Sequence, residues 1–557
     1  MLPGLLAILL WGLTFVTDTK QFTADPLHMS SLPMDMSMIV FMHILSKAVL
    51  LLVIGGLCYF LFYAWHNKML FYSFLFFFAL YAGLLLLGYP GYYTSDDTII
   101  YGYATRYLPV YWHCYLTSLY YMVGLSLFPA STGPILLNDL CLALCVSYIF
   151  YESCRLKKAP GAYLSLLTGL FPTVLLSALM CFRPVLYVPF FLFFFAFLYF
   201  EKKKKGVLTP SKLLGLSFYA AFLCLWRSEG LVLFVFFFPL LYFTYPSGLC
   251  GKRPDPSDET GGGDALPVKR SRQRRAMLLG LLAFVLFFGI LKLPQQIGEK
   301  KYYGKDYLII SLVRPLSVIV HRPQTYAGAD ADLEAIDRVI DLDYIRYESL
   351  SCSSYGRYNT DHNLGHFTET GAGSKAQSAF IKAAVRLILH NPDLYLGERL
   401  QLFLVTNGIY SYPEHLVLDL KPVTTAEFPS YLADRDYGYV LIDGNKRLPF
   451  SGSKQVALFL FQFGAEAFLP VLVLLFFELG FAIAKKNGFF VTVLLSLLAR
   501  EAVIFLLSPA AFVQYSFPTM AVVLFTGVMM VTDAFGGKEI EIRKEGLSER
   551  KEDGETG

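Results

Sequence analysis

Residues 183–205 read RPVLYVPFFLFFFAFLYFEKKKK, and this stretch decides the fold class. Residues 184–201 are almost wholly apolar and about as long as the roughly 20 residues that a membrane-crossing helix needs. Arg183 stands at one end and Lys202 to Lys205 at the other. Short cytoplasmic loops are enriched in Lys and Arg, so the lysine run predicts the cytoplasmic end and Arg183 the external one.

The whole chain has the same character. Of its 557 residues, 55% are hydrophobic and 16% charged, with 50 Phe, 37 Tyr and 4 Trp, and mean hydropathy is +0.50. Soluble chains carry about 25% charged residues. So few charges cannot cover so much apolar surface in water, which excludes a string of soluble domains, a disordered chain and a nucleic-acid binder. Further spans are predicted near 45–65, 69–88, 133–153, 161–181, 213–227, 231–247, 277–293, 466–484, 489–507 and 516–535. Residues 3–16, which lack a basic leader and a small-residue cleavage site, add a short first span. The expected architecture is therefore an all-α polytopic membrane protein of 11 to 12 helices. Lys68, Arg155, Lys157, Lys158, the 252–275 loop, Lys485, Lys486 and Lys538 then fall on one side, with both termini cytoplasmic.

Two longer segments land on the other face, 89–132 and 294–455. The second contains an amphipathic helix at 378–389, stopped by His390-Asn391-Pro392, and strand-like runs such as YGYVLI at 437–442. It is read as a small mixed α/β external domain. It lies between an N-terminal membrane module, 1–293, and C-terminal helices at 456–536, which a polar tail, 537–557, follows. The nine cysteines (58, 114, 141, 145, 154, 181, 224, 250 and 352) include no CxxC pair and lie mostly in apolar runs, so they read as small core residues.

Charges at a membrane edge are costly, and function usually explains them. Asp139, Arg183, Arg227 and Glu229 fall at external span ends, and Arg500-Glu501 lies within 489–507 toward that side. Arg227 with Glu229, or Arg500 with Glu501, also reads as a local ion pair. Loop 89–132 adds Tyr89-Pro90-Gly91-Tyr92-Tyr93-Thr94-Ser95-Asp96-Asp97, where Pro-Gly turns the chain and two carboxylates follow. A carboxylate there suits proton abstraction from a hydroxyl. The Asp96/Asp97 pair also offers oxygen ligands for a divalent cation, Mg or Mn. Trp112-His113 lies further along the same loop. Tyr92 and Tyr93 suit stacking on a sugar, although interfacial anchoring is the commoner role of such rings. His362 and His366 have HxxxH spacing, but Gly365 and the missing glutamate argue against a metal site.

Together these elements resemble the GT-C membrane glycosyltransferases, among them the protein O-mannosyltransferases and the lipid A aminoarabinose transferase with its bacterial relatives. PGYYTSD, residues 90–96, is similar to their PG-x-x-S-x-D, with Thr94 for Ser. Trp112-His113-Cys114-Tyr115-Leu116 is similar to their His-Pro-Pro-Leu element without the prolines. WRSEGL, 226–231, resembles an Arg-x-x-Gly turn, and VQYSFP, 513–518, resembles Arg-Tyr-x-x-Pro with Gln514 in place of Arg. The resemblance implies a polyprenyl-phosphate sugar donor and a cell-envelope glycan, lipid or protein acceptor. It places Asp96 as general base, with Asp97 and His113 beside it. Arg183, Arg227 and Arg500 would hold the donor phosphate, with Glu229, Tyr92, Tyr93 and Trp112 in support. It further implies a bacterial cell membrane, the endoplasmic reticulum being the alternative. Two other readings are a transporter or flippase of a lipid-linked or anionic substrate, and an O-antigen-type ligase or polymerase.

Overall fold

The structure, a computed structural model, describes residues 2–21, 36–89, 91, 93, 95–130, 132–156, 160–246, 265–303, 306–347, 374–406, 468–508 and 513–552. Its helices are α1 (Leu2–Gln21), α2 (Met36–His66), α3 (Lys68–Leu87), α4 (Ser95–Ala104), α5 (Tyr115–Leu127), α6 (Gly133–Leu156), α7 (Leu167–Leu170), α8 (Pro172–Ser177), α9 (Arg183–Lys203) and α10 (Pro210–Trp226). They continue as α11 (Leu233–Thr244), α12 (Ala265–Gly298), α13 (Asp306–Ile319), α14 (Ala329–Asp337), α15 (Leu342–Tyr347), α16 (Ser374–His390), α17 (Pro392–Thr406), α18 (Phe468–Ala484), α19 (Gly488–Leu507) and α20 (Phe517–Glu552). The described residues contain no strand.

Seven described helices are long and apolar enough to cross a membrane, and four shorter apolar helices, Leu2–Val16, Pro210–Trp226, Ser228–Thr244 and Phe468–Ala484, accompany them. Together they account for every expected span except 161–181. The most apolar window of α9 is 83% buried and that of Met277–Lys301 only 11%, which puts α9 at the centre of the bundle and α12 at its rim. Leu278, Leu282, Leu286 and Ile290 on α12 are exposed. In a membrane such a surface meets lipid at no cost, because hydrocarbon is as apolar as the side chains.

Segment 161–181 is a correction. It is not one helix but a 3-10 segment, Pro160–Leu166, followed by α7 and α8. Phe171 between them is extended, and Pro172 has no N–H to continue the helix. Backbone groups freed at membrane depth must be satisfied by protein. Tyr81 of α3 donates its hydroxyl to the Gly169 carbonyl at 2.9 Å, and Asn138 of α6 donates Nδ2 to the Ser177 carbonyl at 2.7 Å.

The lysine end of the bundle is stapled ionically. Lys203 reaches Asp533 at 2.7 Å, Lys204 reaches Glu152 at 2.8 Å, and Lys212 reaches Glu201 at 2.6 Å. Lys202 donates to Asn487 at 3.0 Å, just before α19. The KKKK run thus joins α9 to α6, α19 and α20 in addition to being basic.

The described part of 294–455 is helical. Ile309, Val313 and Leu316 of α13, Ile336 of α14, and Phe380, Ala384 and Leu387 of α16 form a small core of their own. The expected helix 378–389 is α16, and Pro392 opens α17. The strand-like 437–442 and the histidines His362 and His366 lie outside the described residues. Helix α17 docks on the end of α19: Tyr395 donates to the Leu506 carbonyl at 2.6 Å and Arg399 to the Ser508 carbonyl at 2.6 Å. This satisfies carbonyls that a helix C-terminus leaves without partners. The expected tail 537–557 continues α20 as helix to Glu552.

Candidate active site

At the end of the bundle opposite the lysines, a cavity of about 390 Å³ opens between α9, α10, α12 and α19. Its wall includes Trp112, Arg183, Arg227 and Glu229, so four of the residues singled out from the sequence converge on it.

Local geometry explains the Arg227–Glu229 arm. Helix α10 stops at Arg227, which is extended, and residues 228–232 form a 3-10 turn. Gly230 donates its N–H to the Arg227 carbonyl at 2.9 Å. Only glycine fits there, because a Cβ on residue 230 would lie 2.6 Å from the Leu223 carbonyl oxygen and 2.8 Å from the Tyr187 hydroxyl. The tight turn brings Glu229 back onto Arg227, whose Nη2 donates to the carboxylate. Nε and Nη1 of Arg227 are buried without a hydrogen-bond partner among the described residues. The guanidinium also lies over the Tyr515 ring, 5.4 Å from its centroid. Arg183 belongs to the same cavity wall as Arg227 and Glu229.

Arg500 stands behind this wall. It is fully buried and donates to Glu501 at 3.0 Å, to Thr519 Oγ1 at 3.0 Å and to the Tyr515 carbonyl at 2.8 Å. Ser516 donates to Glu501 at 2.7 Å. The pair pins α19 to the turn Val513–Ser516, and so holds Tyr515 in the cavity wall. The ion-pair reading of Arg500 with Glu501 is the one this geometry favours, and Gln514, where the resemblance expected Arg, is buried beside it.

The loop residues separate. Gly91 has φ +99°, the left-handed conformation that the Pro-Gly turn needs. Asp96 lies in the first turn of α4, with its side chain outside the described residues, as is all of Tyr92. Asp97 is fully buried and accepts from Tyr121 at 3.3 Å, whose hydroxyl also contacts the Cys181 carbonyl. It is therefore set into the protein beside the broken crossing rather than into the cavity. Tyr93 is half-buried and edge-on to Tyr101. His113 is buried behind Trp112, the two rings edge to face at 5.5 Å. Among the described residues, which leave out the Asp96 side chain, no three His, Cys, Asp or Glu side chains converge on one point.

The sequence reading missed the contribution of α12. Lys292 and Gln295, and Glu299 at the start of the π-helical turn Glu299–Tyr303 that follows α12, also line the cavity. Gln295 accepts from the Tyr115 N–H at 2.9 Å and donates to the Tyr111 carbonyl, fixing the turn that carries Trp112-His113. The spacing 292, 295, 299 marks one helix face. It was hidden because the span was ended at Leu293, before Pro294. Pro294 does not stop the helix, which runs on to Gly298.

No family model, no curated protein and no solved structure matches the chain.

Proposed function

We propose that the protein is a membrane glycosyltransferase that moves a sugar from a polyprenyl-phosphate carrier to a hydroxyl of a cell-envelope glycan, lipid or protein at the external membrane face. The observation that carries this reading is Arg227: a buried guanidinium with two donor nitrogens unfilled among the described residues, in the same cavity wall as Arg183, at the membrane-edge end of apolar helices. Arg is suited to phosphate by its fixed fork of donors. The cavity has polar walls at Arg183, Arg227 and Lys292 and apolar ones at Leu231, Phe288, Val503 and Leu507. That mixture suits a ligand that is phosphate at one end and isoprenoid at the other.

In this reading Arg183 and Arg227 hold the donor phosphate, and Arg500 acts as a positioning residue through Tyr515. Asp96, at the start of α4, takes the proton of the acceptor hydroxyl as it attacks the anomeric carbon. The bond from that carbon to the phosphate oxygen breaks with its electron pair on phosphate. Direct attack inverts the anomeric configuration. Trp112 offers a ring for the sugar. The lysine-rich end, with both chain termini, faces the cytoplasm of what the resemblance to GT-C enzymes suggests is a bacterial cell.

Arg227→Ala tests the phosphate role. It should raise the donor concentration needed for half-maximal transfer by roughly ten- to a hundredfold, the equivalent of charge-assisted hydrogen bonds at about 1.5–3 kcal/mol. The acceptor requirement should change far less. Equal loss toward donor and acceptor would count against it.

The broken crossing at 160–182 favours a second reading, a transporter of a lipid-linked anion, since carriers build their sites on discontinuous helices. Accumulation of the intact lipid-linked sugar on the opposite leaflet, with no product formed, would support that reading instead.

A further inference from the structure

We infer that the cavity holds a second anion-binding position, Lys292 on α12, which Glu299 occupies as an internal counter-ion until negative charge develops on the bound phosphate. This rests on the reading of the cavity as a lipid-phosphate site.

The two partners of this pair are held very differently. Glu299 is fixed by Gln295, which donates to it at 2.9 Å and is itself buried and tied to the 111–115 turn. Lys292 approaches the same carboxylate only to 3.5 Å, and both side chains are about one-third exposed, at 31% and 37%. A long, partly exposed ion pair of this kind is weak. The ammonium is a point charge on a flexible stem, able to exchange one anion for another. Arg227, Arg183 and Lys292 all line this one cavity.

The chemistry of the proposed reaction says which ligand state would recruit the third cation. A polyprenyl-phosphate sugar is a phosphodiester with one negative charge. When the bond from the anomeric carbon to phosphate oxygen breaks, the electron pair stays on that oxygen and the product is a phosphomonoester approaching two negative charges. Arg227 and Arg183 meet the first charge. The second appears only as the reaction proceeds, and Lys292 is the cation whose existing partner is weak enough to be displaced by it. Interactions gained in the transition state rather than the ground state are those that accelerate a reaction. Lys292 is thus a leaving-group residue, and Glu299 keeps it off the diester.

The test is binding of polyprenyl phosphate and of a polyprenyl-phosphate sugar to the purified full-length protein. It is read by the fluorescence of Trp112 and Trp226, which both line the cavity. Glu299→Gln, in which the new side chain still accepts from Gln295, should tighten binding of the monoester several-fold. Lys292→Gln should weaken it about tenfold, with Lys292→Arg close to wild type, and the diester should shift less than threefold in each. If Lys292→Gln fails to fold, the sign of the Glu299→Gln effect decides alone. Weakening by both substitutions, or equal effects on monoester and diester, would overturn the inference. Wild type that binds neither lipid would instead overturn the reading of the cavity on which it rests.

Discussion

Arg227 donates to the carboxylate of Glu229 two residues further on, while its Nε and Nη1, buried in the same cavity wall, have no hydrogen-bond partner among the described residues. The carboxylate satisfies one corner of the guanidinium, and the tight turn through Gly230 holds the other two donors in place. A site built this way keeps a buried cation stable without filling its capacity for an anion.

The first prediction concerns Glu229. Removing one partner of a buried pair leaves the other charge uncompensated, at a cost of about 3–5 kcal/mol. Glu229→Gln should therefore lower the melting temperature of the purified protein more than Arg227→Ala does, because Arg183 lines the same wall and would lose the carboxylate's charge together with Arg227. In the Arg227→Ala background the Glu229→Gln effect should shrink. Strict additivity of the two would contradict the coupling.

Gly230→Ala tests the turn. The added Cβ meets a backbone oxygen that has no rotamer to escape into, and overpacking of this kind costs about 1–3 kcal/mol. Gly215→Ala on α10, where no described residue outside the helix's own backbone lies within 4 Å of the new Cβ, should be neutral or slightly stabilising. Thermal melting of the two variants side by side separates a requirement of the turn from a general intolerance of substitution.

Acid should loosen the small helical core formed by α13, α14 and α16. The Asp332 carboxyl is held below the usual carboxylate range, chiefly by hydrogen bonds from Arg386, with Tyr326 donating a further one at 2.8 Å. A depressed folded-state pKa contributes stability that is fully present above the ordinary carboxylate value, about 3.9, and is lost as pH falls through the folded-state value. Amide-exchange protection of α14 and α16 should therefore drop below about pH 4. Asp332→Asn should be less protected at neutral pH and should have lost this part of the acid response. An acid response unchanged in that variant would contradict the assignment.

Arg500→Ala should behave unlike Arg227→Ala. Its contacts are to Glu501, Thr519 and the Tyr515 carbonyl, so its loss should loosen the 513–516 turn. Increased exchange of amides in 514–519, with donor and acceptor use falling together, is the expected signature. A loss confined to the donor would place Arg500 on the phosphate instead.

Much of this was legible in the sequence because lipid imposes simple rules. Runs such as 184–201 announce themselves by length and lack of charge, and Arg183, Arg227 and Glu229 were conspicuous because charge at a span end is scarce. Segment 161–181 was misread as one helix because hydropathy counts apolar residues and is blind to what Pro172 does to the backbone. Lys292, Gln295 and Glu299 escaped because a helix was ended where its apolar run ended, although its backbone continued past Pro294. Asp97 looked like a twin of Asp96 in sequence. Its burial under Tyr121 depends on α5 and on the broken crossing, which adjacency in the chain cannot reveal.

The most direct measurement is transfer of labelled sugar from a polyprenyl-phosphate donor to extracted cell-envelope acceptors, in membranes holding wild type or a well-expressed Asp96→Asn protein. Labelled acceptor is expected with wild type, and with Asp96→Asn a loss of roughly 10²–10⁴-fold, the range that general-base catalysis supplies. Unchanged transfer by the Asp96→Asn protein, or no transfer by wild type across the donor sugars offered, would contradict it.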